Sequence, residues 1–331
     1  MAGAARVAIV GAGISGLSCA TGLAEAGLQV EVFEAGPVPG GRMGGERGQP
    51  IPIDHGAQYF TVRDPAFQAQ VAQWIAAGRV TEWPMRLGAF GRDGWRSSDS
   101  SLKRHIGIPW MAAPSQHLAD RLAVTYDHRV ATLRHSARQW LLQRCAADAG
   151  TGPFDAVVLA MPAPLAATLL AGHSPLLADL YRSANMRACW AAMLEFDQPL
   201  PIPFDAAFIN EGPLRWIANH GTRPGHPVGQ HWLLHAGAVW SEANRNLSAD
   251  EAIAQLLAAL HPLGLPATWS PRAARAHLWP WADCQYPLAR VSAWDDGQRL
   301  GLCGDWLNGG KVEGAWVSGR HLASQLRQVF T

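Results

Sequence analysis

Lysine is all but missing from this chain. Of 27 basic residues only Lys103 and Lys311 are lysines, so positive charge is carried by arginine, whose planar fork suits phosphates and carboxylates. The five cysteines, Cys19, Cys145, Cys189, Cys284 and Cys303, are odd in number and lack CxxC spacing. That argues against a disulfide framework or a zinc site and fits a reducing compartment. The 13 histidines form no HExxH or paired-ligand spacing, so no metal is expected. No window reaches the roughly 18 uncharged apolar residues of a membrane helix, and no apolar signal core opens the chain; a soluble, cytoplasmic protein is expected. With 27 basic and 26 acidic residues there is no electrostatic case for nucleic acid or an anionic membrane. A length of 331 residues suggests two domains, at roughly 150 residues each.

What is present is concentrated at the start. The apolar residues 7–10 run into Gly11-Ala12-Gly13-Ile14-Ser15-Gly16, a helical run over 17–26 is stopped by Gly27, and a strand over 30–33 ends on Glu34. This is the dinucleotide-binding glycine pattern in its strand–turn–helix–strand setting. Gly11 serves the tight turn, Gly13 lets the backbone approach a pyrophosphate, and Gly16 lets the helix pack on the strand. The helix start at Ile14 and Ser15 offers free N–H groups and a positive dipole end to that pyrophosphate. Glu34, followed by Ala35, can accept from both ribose hydroxyls, which favours FAD or NAD over NADP.

Two further stretches extend the pattern. The turn over 37–43 carries Gly41 and Arg42, placed to fold back over the same pyrophosphate and neutralise it; the alternative is a plain surface turn. In residues 53–61 the small Ala57 stands beside Gln58, Tyr59, Phe60 and Thr61. Such a stretch suits backbone lying against a flat ring, with Gln58 and Tyr59 toward a substrate; the alternative is an ordinary buried strand.

The blocks VAIVGAGISGLSCATGLAEAGLQVEVFEAGPVPGGRM and DHGAQYFTVRD resemble the FAD-dependent amine-oxidase superfamily, and within it the bacterial renalase-like flavoproteins. Three later blocks, CWAAMLEFDQPL, PLRWIANHGTRPG and WLLHAGAVWS, look similar to the same group. The resemblance implies an α/β fold: a Rossmann-type, glutathione-reductase-like FAD domain interleaved with an α+β substrate domain on a mostly antiparallel sheet. The expected segments are 1–66, 104–175 and 285–331 for FAD, and 67–103 and 176–284 for substrate. It also implies that the backbone of Val130 pairs with the adenine. GLCGDWLNGGKVEGAWVSG resembles the C-terminal flavin motif. There Asp305 reaches the ribityl chain or the pyrophosphate, and the helix opening at Val312, Gly314 and Ala315 points its dipole at the flavin edge that becomes negative on reduction. Cys284, in WADCQYPL, does not match the cysteine that attaches flavin in monoamine oxidases, so the FAD is expected to be non-covalent.

The remaining elements follow from pattern. Helices are expected over 66–77, from an N-cap at Ser115 to 122, over 249–260, and from 312 to about 329. Strands are expected over 127–133, 140–144, 156–160, 189–196, 206–210, 215–219, 232–238 and 300–303.

The resemblance implies an oxidase that takes a hydride from a small substrate to flavin N5, with oxygen as acceptor and hydrogen peroxide as product. Its renalase-like form oxidises 2- or 6-dihydro-NAD(P) to NAD(P)+. Aromatisation drives that transfer, so no catalytic side chain is expected. The candidate substrate residues are Gln58, Tyr59, Phe60, Thr61, Asn219, His235, Trp279 and Lys311. His235 either lines a pocket or is a satisfied core residue, Asn219 is equally a turn residue, and Lys311 either holds a phosphate or carboxamide or is a solvated loop residue. One departure bears on substrate: renalase-like sequences carry His-Arg-Trp-Arg-Tyr where this chain has His277-Leu278-Trp279-Pro280-Trp281. Two positive charges are absent there, which implies a smaller or less charged substrate. The alternatives are therefore an amine oxidase, with Trp279 and Trp281 either walling an aromatic slot for an amine or standing as core tryptophans, and an FAD-binding module without catalysis.

Overall fold

The computed structural model describes residues 4–45, 53–98 and 101–331, which include every candidate site residue; the parts of the expected domain segments at 1–3, 46–52 and 99–100 lie outside the described residues. The chain opens on β1 (Arg6–Val10), α1 (Ile14–Glu25) and β2 (Gln29–Phe33). An excursion follows through α2 (Pro65–Ala76), β3 (Val80–Glu82), β4 (Leu87–Gly91), β5 (Gly94–Ser97) and β6 (His105–Gly107). Then come α3 (Ala113–Ala119), β7 (Ala123–Thr125), β8 (Thr132–Ser136), β9 (Gln139–Gln143), β10 (Thr151–Phe154) and β11 (Ala156–Leu159). After α4 (Ala163–Leu170) and α5 (Pro175–Ser183) the chain enters β12 (Met186–Phe196), β13 (Ala206–Ile209), β14 (Leu214–Asn219) and β15 (Gln230–Ala236). It closes through α6 (Ala238–Ala243), α7 (Ala249–Ala258), β16 (Ala273–Cys284), β17 (Ala293–Asp295), β18 (Leu300–Leu302) and α8 (Val312–Phe330).

The first sheet has the order β17-β18-β11-β1-β2-β7, parallel except for β17. Its central strands are apolar throughout because helices and loops cover both faces; Val7, Ala8 and Ile9 have no exposed surface. Helix α8 packs directly on α1, and small residues make the approach possible. A Cβ on Gly319 would stand 2.1 Å from the Ser15 carbonyl oxygen, and one on Gly22 would stand 2.8 Å from Ala323 Cβ. Ser18 Oγ donates to the Trp316 carbonyl at 2.8 Å across that seam. The nucleotide fingerprint and the C-terminal segment are thus one packed unit.

The second sheet runs β16-β12-β15-β14-β13-β4-β5 and is antiparallel apart from the β13–β4 pair. Residues alternate faces along each strand. Trp190, Ala192 and Leu194 of β12, with Trp232 and Leu234 of β15, pack under Ala252 and Leu256 of α7. On the opposite face Ala191, Met193 and Leu233 pack with Ile53 and Trp279, and Cys189 and His235 line a cavity. No helix of the described residues is long and apolar enough to cross a membrane.

Three local expectations are corrected. Residues 127–131 are not strand: Asp127 takes φ +50, and pairing starts only at Thr132. Ser115 caps nothing; α3 begins at Ala113 with Pro114 in its first turn, and Ser115 is buried inside it. The last strand residues expected at 237–238 instead begin α6, after Gly237.

Candidate active site

The carboxyl ends of β1, β2, β11 and β18 open into a single cavity of about 1240 Å³. Strand order reverses direction at β1, between β2 and β11, and such a switch point is where dinucleotides bind. The glycines divide the work as their sites demand. Gly11, at φ +109, would place a Cβ 2.5 Å from the Ala160 carbonyl oxygen, and Gly16 would place one 2.1 Å from the Gly11 carbonyl oxygen. Both positions are closed by protein. At Gly13 a Cβ would meet no protein atom within 4 Å, so bare backbone faces the cavity beside Ile14 and Ser15. Ser15 Oγ is buried without a hydrogen-bond partner. An open glycine and an orphan hydroxyl at a helix N-terminus fit a pyrophosphate. The residues present fit an adenine dinucleotide.

Glu34 does more than its sequence position implied. Its carboxylate accepts the N–H of Ala12 at 2.7 Å and of Gly36 at 2.9 Å, tying the first turn to the second strand's exit. A carboxylate has about four acceptor positions, so ribose hydroxyls still have room. Arg42 donates to Asp305 through both nitrogens, at 2.5 and 3.1 Å, and to the Ala282 carbonyl at 3.1 Å. Its charge is therefore compensated by Asp305, and two of its five N–H donors remain for phosphate. Ala35, Gly41, Ala57, Val130, Val312 and Ala315 line the same cavity. Gly314 does not: a Cβ there would fall 1.7 Å from the Asn308 carbonyl oxygen, so it seats the first turn of α8 on the preceding loop.

The far end of the cavity is walled by the second sheet and by residues 53–61. Trp216, His235, Ala191 and His277 share one line across the strands, with Cys189 opposite Trp279 on the next. His235 Nε2 and Trp279 Nε1 both donate to the His55 carbonyl, each at 3.0 Å. Gln58 lines the cavity, but its amide is committed elsewhere: Nε2 donates to the carbonyls of Asp54 (2.7 Å) and Gly56 (3.1 Å). Its Oε1 then must accept, and His220 Nε2 supplies the proton at 2.7 Å. Behind it Arg223, whose side chain has no exposed surface, pairs with Asp54 at 2.9 Å and stands 5.3 Å over the Trp83 ring. This network holds the wall; Tyr59, Phe60 and Thr61 are carried forward by it to line the cavity.

His55, His220 and His235 are neutral at pH 7. Burial and the neighbouring His277 push His55 down to about 3, and burial with Arg215 nearby pushes His235 down to about 4. Burial, then the Arg223 charge, lowers His220 well below its ordinary value. Fixed charge comes instead from six basic and four acidic side chains on the cavity lining. Asp283 is held between Arg187 (3.1 Å) and Arg215 (2.9 Å), whereas the side chains of Arg63, Arg104 and Lys311 have no ion-pair partner among the described residues.

The cavity therefore brings together the sequence candidates except Gly16, Gly314 and Asn219. Asn219 is a turn residue: its Oδ1 accepts the Gly221 N–H at 2.9 Å and its amide donates to Gln230 at 3.4 Å. Asp54, Arg104, Arg215, His220, Arg223 and Asp283 were not singled out by sequence. Asp54 lies in the block DHGAQYFTVRD, and Arg215, His220 and Arg223 in PLRWIANHGTRPG, so the sign there was the family-like block and not the residue itself.

A family described as "Flavin containing amine oxidoreductase" matches residues 89–327, and one described as "NAD(P)-binding Rossmann-like domain" matches 9–74. Among solved structures, cyclohexylamine oxidase from Brevibacterium oxydans IH-35A superposes with a TM-score of 0.75 at 14% identity, over 99% of each chain. Putrescine oxidase bound to putrescine gives a TM-score of 0.73 at 15% identity, over 97% of this chain and 98% of that one. Hydroxyneurosporene desaturase of Rubrivivax gelatinosus is 36% identical over 100 residues, which are 29% of this chain and 18% of that relative.

Proposed function

Because this chain belongs to the flavin containing amine oxidoreductase family, we propose that it is an FAD-dependent oxidase of isomeric dihydronicotinamides. It would convert 2- or 6-dihydro-NAD(P) and oxygen, with one proton, to NAD(P)+ and hydrogen peroxide. FAD, the cofactor of the family, supplies the hydride acceptor when bound. In this reading residues 1–66, 104–175 and 285–331 serve FAD, and 67–103 and 176–284 serve the substrate.

The observation that carries the proposal is the charge at the cavity's far end. Arg63, Arg104 and Lys311 stand there without carboxylate partners, and Asp283 is shared by two arginines. An ammonium substrate would meet unpaired positive charge, whereas a phosphate-bearing one would meet its complement. Gly13, Ser15 and the Arg42–Asp305 pair would hold the cofactor's pyrophosphate. Tyr59 and Trp216, packed on each other with ring centroids 5.6 Å apart, and Trp279 give the cavity an aromatic wall. Neutral His55 and His235 brace that wall through the His55 carbonyl and add no charge to it. No proton need leave carbon as a proton, because loss of hydride alone yields the aromatic pyridinium. Anaerobic mixing of the holoenzyme with 6-dihydro-NAD should bleach the flavin absorbance within seconds; an unchanged spectrum would sink the proposal.

A second reading is supported by the same aromatic wall and by structural neighbours that are oxidases of cyclohexylamine and putrescine. There a neutral amine would lie against Trp279 and Trp216. Peroxide release from an amine, with none from any dihydronicotinamide, would replace the first reading with this one.

A further inference from the structure

Three cations are tied to one rim of the cavity by separate devices. Backbone pairing of Phe60 with His105, at 2.9 and 2.8 Å, sets Arg104 beside residues 59–61, and its guanidinium carbon stands 5.2 Å from the Tyr59 ring centre. Glu313, in the first turn of α8, accepts the backbone N–H groups of Arg63 (2.5 Å) and Asp64 (3.0 Å). That draws Arg63 onto the helix whose N-cap is Lys311. All three side chains line the cavity, Arg63 and Lys311 exposed and Arg104 half-buried.

Arg104 is the informative member. Its Nε is buried with no hydrogen-bond partner, and its Nη1 reaches only the Leu102 carbonyl, at 3.2 Å. Burial withdraws only that Nε from water; the other Nη hydrogens of this half-buried side chain have no protein partner among the described residues, and an anion in the cavity can complete them. Glu313, on this rim, is occupied by two N–H groups, Glu82 on the strand beside Arg104 is paired with Lys103, and Asp283 and Asp305 are held by their own arginines. Leu278 and Pro280, on the facing β16, contribute no charge to the lining.

We propose that Arg104, flanked by Arg63 and Lys311, forms a subsite for the diphosphate of the substrate. The proposal rests on the dihydronicotinamide reading only in naming which diphosphate arrives. Arg104 supplies a forked pair of donors to one phosphate, and Arg63 and Lys311 supply mobile charge at the rim.

Inorganic diphosphate tests the subsite in the holoenzyme, whose cofactor end is already filled. Its binding is read from the perturbation of the flavin spectrum and from competition with the substrate. Arg104→Met should weaken diphosphate binding at least tenfold, and Lys311→Met, at an exposed position, severalfold with the fold intact. KM for a dihydronicotinamide dinucleotide should rise in parallel, while an N-alkyl dihydronicotinamide without phosphate should show no change. Equal diphosphate binding by wild type, Arg104→Met and Lys311→Met would overturn the subsite even if dinucleotides are oxidised. Conversely, diphosphate binding that needs Arg104 in a protein that oxidises no dihydronicotinamide would leave the subsite standing and remove the activity reading.

Discussion

Arg42 grips both carboxylate oxygens of Asp305, although the two residues are 263 positions apart. The pair joins the glycine turn after β2 to the exit of β18, and both residues line the cavity. Their side chains are 27% and 11% exposed, so the pair is only partly screened by water. Losing the arginine leaves a carboxylate facing the cofactor's phosphates; losing the carboxylate leaves a cation that phosphate can still use. Arg42→Met should therefore weaken FAD binding more than Asp305→Asn, by about tenfold or more, or roughly 1.4 kcal/mol per decade. The double variant should recover part of that loss. Fluorescence titration of apoprotein with FAD measures all three, and strict additivity would remove the coupling.

The glycines give a sharper contrast. Gly16→Ala forces a methyl to 2.1 Å from the Gly11 carbonyl oxygen, backbone against backbone, and should destabilise the apoprotein by several kcal/mol. Gly13→Ala meets no protein atom, so the apoprotein's melting temperature should stay within about a degree or two. Its methyl instead enters the space argued for pyrophosphate, and FAD affinity should fall at least tenfold. Retained FAD binding in Gly13→Ala would contradict that placement.

How much of this was legible in the sequence follows from the range of each constraint. The fingerprint was readable because steric demands at Gly11, Gly13 and Gly16 act within a few residues of chain. Strand β12 was readable as strand but not as to which face carries Cys189, since both faces are buried and the pattern does not alternate. Val130 lines the cavity from a bend and not from a strand, because the positive φ of Asp127 breaks the extended run before it. The pairing of Arg223 with Asp54 was invisible: it spans 169 residues, and an arginine in a Gly-Thr-Arg-Pro turn has the local character of a surface residue. Asn219 turns its amide back on its own chain, its Oδ1 accepting the Gly221 N–H.

That buried pair carries its own prediction. Arg223→Met would leave the Asp54 carboxylate, which is 2% exposed, without its guanidinium partner, beside the Met111 N–H at 3.0 Å and His226 at 4.0 Å. Breaking such a pair should cost about 3–5 kcal/mol, whereas Asp54→Asn together with Arg223→Met should cost less than either single change. Chemical denaturation at pH 8 gives the three values. Additive losses would mean that the residues act through separate packing instead of through their charges.

Acid should unfold this protein through its histidines. His55, His226 and His235 are pushed down to about 3, 4 and 4, chiefly by burial, against an ordinary value of 6.5. In the unfolded chain each takes up a proton as pH falls through about 6.5, while in the folded chain each stays neutral until near 4. The unfolded state thus binds more protons in that window. Stability is fully present above pH 6.5 and is lost progressively as pH falls toward 4. At pH 5 each histidine contributes a loss of about 2 kcal/mol. Replacing His226 by Gln should remove its share of the slope while leaving stability at pH 8 within about 1 kcal/mol. Denaturation midpoints measured from pH 8 down to pH 5 decide it: a flat profile in the parent protein would mean these imidazoles are solvated and charged in the folded state.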